Sequence, residues 1–263
     1  MFKWLRSLHA AGDPDARVDE ACWRRLRARN PWAAALPEAR AQRLRTLTQE
    51  FLRSKDITPA ADFDPNHEDR VLIASLCVLP VLDGGLEWLS GWRQLIVYPG
   101  QFGVRRHHHD DATGVVSEWN DELAGEAWDR GPVILSWADI AADLQEPGAG
   151  FCVVAHEIAH KLDALDGAMD GMPPLPGPAR RQRWIGTFQR AYDALCADLE
   201  AGREAVIDEY AAEAPDEFFA VTSEYHFSAP SHLAEVMPQV AHELREFYGE
   251  PPFGQFPVEK RSS

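Results

Sequence analysis

The sequence predicts an α+β protein, mainly helical with a small mixed sheet. Three observations lead there. Long stretches place apolar residues at helical spacing, whereas the runs with the look of strands are few and short. The apolar fraction of 45%, with nine Trp and twelve Phe, can fill a substantial core in 263 residues. No internal repeat and no composition break demands two separate units, so the expectation is one core with a helical extension. That extension is placed at 1–68, packed on a core of 69–250, with a flexible tail over 251–263.

Residues 15–55 read as helices, with Pro31 and Pro37 as punctuation, and 54–68 as a polar connection. A buried helix is expected at 69–80, ending near Pro80. Residues 93–98 (Arg-Gln-Leu-Ile-Val-Tyr) have strand composition and stop at Pro99-Gly100. Residues 115–116 and 132–135 are two further short strand candidates. The loops between them carry His107, His108 and His109. Three adjacent histidines cannot all point one way, so a solvated loop is preferred to a second metal site. From 151 to 165 the chain is helical again, and Pro173, Pro174, Pro176 and Pro178 then make a stiff connection. Helices follow at 179–200, 216–227 and 231–248.

The net charge of −16 argues against gripping phosphate backbones, which requires Lys and Arg, so no direct nucleic-acid partner is expected. Arginine is concentrated in the first 53 residues; solvated helix faces are the preferred reading there and a basic patch the alternative. Cys22, Cys77, Cys152 and Cys196 form no close pair, as for free thiols in a reducing compartment. The N-terminus lacks the apolar segment of a signal peptide, and the apolar stretch around 71–82 is too short to span a bilayer. A soluble, cytoplasmic protein with no membrane partner is expected.

The chemistry concentrates in His156-Glu157-Ile158-Ala159-His160. Histidines four apart on a helix share a face one turn apart, so both imidazoles reach one ion. Glu157 stands about 100° round the helix and reaches a water beside the metal instead of the metal itself. Catalytic zinc takes three protein ligands and keeps a position open. A third histidine at short spacing is absent: Lys-Leu-Asp-Ala-Leu-Asp follows His160. The third ligand is therefore sought in a carboxylate from a later helix. Pro215 marks a helix start, which puts Glu217 in the first turn among Phe218, Phe219, Val221 and Tyr225. A carboxylate in so apolar a setting requires a partner. Glu217 is preferred as the ligand over Glu213, which precedes the helix, and Glu224, seven residues further on the same face.

The stretch Val-Val-Ala-His-Glu-Ile-Ala-His-Lys-Leu-Asp, together with Tyr210 seven residues before Glu217 in Glu-Phe-Phe-Ala-Val-Thr-Ser-Glu-Tyr-His-Phe-Ser-Ala-Pro, resembles the Mlc titration factor A family of bacterial zinc metallopeptidases. Cys77-Val-Leu-Pro-Val-Leu, Gly85-Leu-Glu-Trp-Leu and Leu95-Ile-Val-Tyr-Pro extend the likeness over nearly the whole chain. The resemblance implies a zincin-like catalytic core, similar to the protease domain of anthrax lethal factor. It implies His156, His160 and Glu217 as zinc ligands and Glu157 as general base. Tyr210 matches a tyrosine that stabilises the oxyanion; its other reading is a core aromatic before a helix. The family further implies a cytoplasmic protein, aminopeptidase-type activity on peptides, and binding to the Mlc glucose repressor. One departure stands out. Related sites place an acid four residues after the ligand Glu to orient a histidine, and here that residue is Val221. Asp163 is the first candidate to replace it and Glu224 the second.

Two functions compete: an active zinc peptidase, and a repressor-titrating binding protein in which catalysis is secondary or absent. The intact Glu157 favours retained chemistry. A zinc-stabilised structural domain is weaker, since such sites close with four ligands and often use Cys.

Overall fold

The computed structural model describes residues 16–61, 63–100 and 131–253. Three helices open it: α1 (Glu20–Arg29), α2 (Pro31–Ala35) and α3 (Glu38–Ser54). Asp19 and Asn30 cap the first two through their side chains. The arginines of this segment are largely spoken for. Arg25 and Arg29 pair with Glu68 and Asp69, Arg27 with Glu38, and Arg45 with Glu20. They tie helices together.

Next comes β1 (Asp56–Pro59), inside the stretch read as a polar connection. Helix α4 (His67–Val78) begins with a reciprocal cap between Asn66 and Asp69 and is then buried from Val71 to Val78. Two 3₁₀ turns, Leu79–Val81 and Leu86–Leu89, lead to β2 (Gln94–Tyr98). After β3 (Val133–Ser136) the chain enters α5 (Trp137–Gln145), a helix that the periodicity did not suggest. The motif helix α6 spans Val153–Asp163, α7 Pro178–Glu200 and α8 Pro215–Ser228. The last expected helix is two, α9 (Pro230–Val236) and α10 (Pro238–Tyr248). Pro238 opens the second, since proline is tolerated in a first turn and not in a helix interior.

The sheet has three parallel strands in the order β1-β2-β3. Parallel neighbours require crossovers, and α4 lies within the one between β1 and β2. Helix α4 packs on α3 on one side and on α6 on the other, while α6 packs against β3 and, most extensively, α8. One buried cluster runs from Ala16 to Phe253. Trp32 Nε1 donates to the carbonyl of Phe227 at 2.9 Å, which ties the second helix to the eighth. Pro251 and Phe253 are buried, the latter with its ring 5.8 Å from that of Trp32. The loose tail expected from 251 therefore does not begin there. Residues 107–109 and the strand candidate at 115–116 lie outside the described residues.

Candidate metal centre

The motif helix is fixed first by what meets its leading turn. Gly150 has φ +95°, and a Cβ there would lie 2.9 Å from the Tyr225 ring, so glycine lets the chain pass this close to α8. Two carboxylates then receive the first amides. Val153 N–H donates to Asp143 Oδ2 and Cys152 N–H to Glu224 Oε2, each at 2.7 Å. Such groups satisfy amides that lack helical partners and complement the helix dipole. Asp143 comes from α5 and escaped the sequence reading. A signal was present: Ser136 caps the amide of Asp139 at the start of that helix.

One turn into α6, His156 and His160 converge, with their Nε2 atoms 3.1 Å apart. Glu217, in the first turn of α8, brings Oε2 to 3.1 Å from His156 Nε2 and 3.4 Å from His160 Nε2. Among the described residues these three form the group able to hold a metal ion. Glu213 closes the 3₁₀ turn Glu209–Ala212 and takes no part in it.

His156 is oriented by Glu224, whose Oε1 accepts from Nδ1 at 2.7 Å. A carboxylate only accepts, so Nδ1 carries the proton and Nε2 turns its lone pair to the cluster. Asp163, first choice for this task, faces elsewhere. It is fully buried, and its two oxygens accept the amides of Gly171 and Met172, each at 2.9 Å. Burial pushes its carboxyl up to about 7, against the pull of those amides. Position on the helix decides this: His156 lies at the opposite end of α6 from Asp163, and α8 crosses beside it.

The Glu217 Oε2 atom is buried and receives no hydrogen bond. Two ring nitrogens and one carboxylate oxygen thus aim their lone pairs into one small space. A cation completes such an arrangement, so the donor set fits a metal ion. The Tyr210 hydroxyl donates to the other oxygen, Glu217 Oε1, at 3.0 Å, and its ring lies 6.1 Å from that of His156. A cavity of about 230 Å³ opens over the cluster. Glu157 and Tyr210 reach it from the polar side, and Ile134, Val153 and Met169 supply apolar wall.

A profile of the glucose-regulated metallo-peptidase M90 family matches residues 4–249. The chain belongs to the M90 family. Among curated relatives, Mlc titration factor A of Cronobacter sakazakii (strain ATCC BAA-894) is 36% identical over 224 residues, 84% of this chain and 83% of the relative. Mlc titration factor A of Escherichia coli O7:K1 (strain IAI39 / ExPEC) is 35% identical over the same length and shares. The M90 chain is metallopeptidase-like on both grounds: its family, and a two-histidine, one-glutamate group at the floor of a cavity. No helix among its described residues is long and apolar enough to cross a membrane.

Proposed function

We propose that this M90 chain is a zinc-dependent peptidase of the cytoplasm, with aminopeptidase-like hydrolysis of peptide bonds. The observation that carries the reading is the triangle of donor atoms, with sides of 3.1, 3.1 and 3.4 Å. A tetrahedral zinc with bonds of about 2.0–2.1 Å holds its ligands about 3.3 Å apart. When bound, zinc polarises the scissile carbonyl and makes a coordinated water acidic near neutral pH. His156, His160 and Glu217 would hold it.

The remaining work falls to the chain's own groups. Glu157 shares the cavity wall and accepts the proton of the attacking water, then passes it to the departing amine. The Tyr210 hydroxyl, on the same cavity, turns its proton from Glu217 Oε1 to the carbonyl oxygen as that oxygen gains charge. Glu224 keeps His156 in the tautomer that leaves Nε2 available. The four cysteines are free, as suits a reducing compartment.

A second reading rests on the relatives' name, which says that they titrate Mlc. In that reading this chain also binds an Mlc-type repressor, and its catalysis is secondary.

One experiment separates the two. Metal analysis, peptidase assays and Mlc capture are run on the wild type and Glu157→Gln. About one zinc per chain is expected in both. Turnover in the variant should fall by about 100-fold or more, while capture of Mlc is unchanged. Full turnover in the variant would sink the general-base role. A wild type that captures Mlc and hydrolyses no peptide would leave only the second reading.

A further inference from the structure

Asp163 ends the motif helix, three residues beyond His160, and none of its surface is exposed. A buried carboxylate is costly unless it is fully hydrogen-bonded, and this one spends both oxygens on adjacent main-chain amides. The segment it grips is held on two further sides. The Gly171 carbonyl accepts from Trp184 Nε1 of α7 at 2.9 Å. Gly171 itself has φ +80°, and a Cβ there would lie 2.4 Å from the carbonyl oxygen of Pro215. Pro215 is the first residue of α8, and Glu217 stands two residues on. One glycine thus touches the end of α6, the flank of α7 and the start of α8. The same loop carries Met169 into the cavity wall.

Two ties therefore bracket the donor triangle. Glu224 joins α8 to the N-terminal end of α6 through Cys152 and His156. At the other end the link runs from Asp163 through Gly171 to Pro215. Sliding α8 against α6 would change the His160–Glu217 separation of 3.4 Å directly, because the two atoms sit on different helices.

We infer that Asp163 and Gly171 are positioning residues: they set the spacing between the end of the motif helix and the start of the Glu217 helix, and so the size of the gap that a metal fills. The inference rests on the metallopeptidase reading and adds to it a part that touches neither metal nor substrate. A carboxylate suits the task because it offers an acceptor to each of two neighbouring amides. Asparagine keeps the shape but has one acceptor and turns an N–H₂ group toward a donor.

The test is zinc affinity, by competition with a chromogenic chelator, on variants whose far-UV circular dichroism matches the wild type. Asp163→Asn should bind zinc about tenfold more weakly. Trp184→Phe keeps an aromatic ring beside Phe188 and removes the bond to Gly171 together with part of the buried indole, so, compared at equal folded fraction, it should shift affinity the same way by less. A merely structural role would lower the melting temperature of the metal-free and zinc-loaded forms equally and leave affinity unchanged. Wild-type zinc affinity in folded Asp163→Asn overturns the inference. Should that variant fail to fold, Trp184→Phe decides alone, and an unchanged affinity there overturns it too. Wild-type zinc binding and turnover are measured alongside. A wild type that binds zinc without hydrolysing peptides removes the peptidase reading and leaves the positioning result standing.

Discussion

Helix α8 presents two faces of contrasting make-up. Toward α6 it offers Glu217 and Glu224, whose side chains are 18% and 9% exposed and bond across to the motif helix. Around the rest of the helix Phe218, Phe219 and Phe227 are closed off from water, and Phe219, opposite the two carboxylates, lies among the rings of Trp184, Phe188, Phe247 and Tyr248. Polar side chains are handled differently on each. Thr222 and Ser223 turn back onto the carbonyls of Phe218 and Phe219, each at 2.7 Å, and Ser223 also meets the Tyr248 hydroxyl at 3.0 Å. Glu217 depends on another element instead: Tyr210 donates to Oε1, and Oε2 faces the two histidines without a hydrogen bond. The difference teaches that stability and chemistry are loaded on opposite sides of one helix, so substitutions should separate them.

The largest effect is expected at Phe219. Phe219→Ala empties a fully buried ring site and should cost about 3–5 kcal/mol of unfolding free energy in urea, while the folded fraction keeps wild-type zinc stoichiometry. Zinc lost from folded protein would break the contrast. On the opposite face, Glu224→Gln should weaken zinc binding by about 10- to 100-fold. Gln still accepts from His156 but turns a donor to the Cys152 amide. Its effect on metal-free stability should be smaller than that of Phe219→Ala; equal losses in both quantities would show the faces to be one unit.

A third effect, absent at neutral pH and growing as the solution is acidified, sharpens the contrast through pH. His226 is 2% exposed, its Nε2 has no hydrogen-bond partner, and burial lowers its pKa from 6.5 to about 3. The unfolded imidazole takes up a proton below 6.5, whereas the folded one stays neutral down to about 3. Its contribution is therefore complete above 6.5 and lost as pH falls toward 3. Urea melts at several pH values should show a shallower acid loss in His226→Leu than in the wild type. Identical slopes would remove His226 from the account.

How much of this was legible follows from distance along the chain. His156, Glu157 and His160 lie within one turn and a half of helix, so the spacing rule alone brought them together. Glu217 was legible because Pro215 marks a first turn. Glu224 ranked behind Asp163 because Asp163 is near in sequence, but the contact that orients His156 spans 68 residues and exists only because α8 packs beside α6. Strand β1 was missed because Ile57 is its one buried residue, and its extended form depends on pairing with β2, whose sequence lies far downstream. Helix α5 was missed although Ser136 and Asp139 announce its start. The Asp163 clamp had no signal at all: two amides and a glycine carbonyl carry no side-chain mark.

The bond from Trp32 to Phe227 has a consequence in time. Its partners are 195 residues apart, and Phe253 lies tilted against the same indole. A nascent chain that has emerged only through α6 holds both histidines and no acceptor for Trp32. The first helices must wait, with a large apolar ring unhoused, until Phe227 and Phe253 have left the ribosome. The N-terminal segment then docks on α8, the helix that brings Glu217 to the histidines. Closure of the hydrophobic core and assembly of the donor triangle thus belong to the same late moment of synthesis.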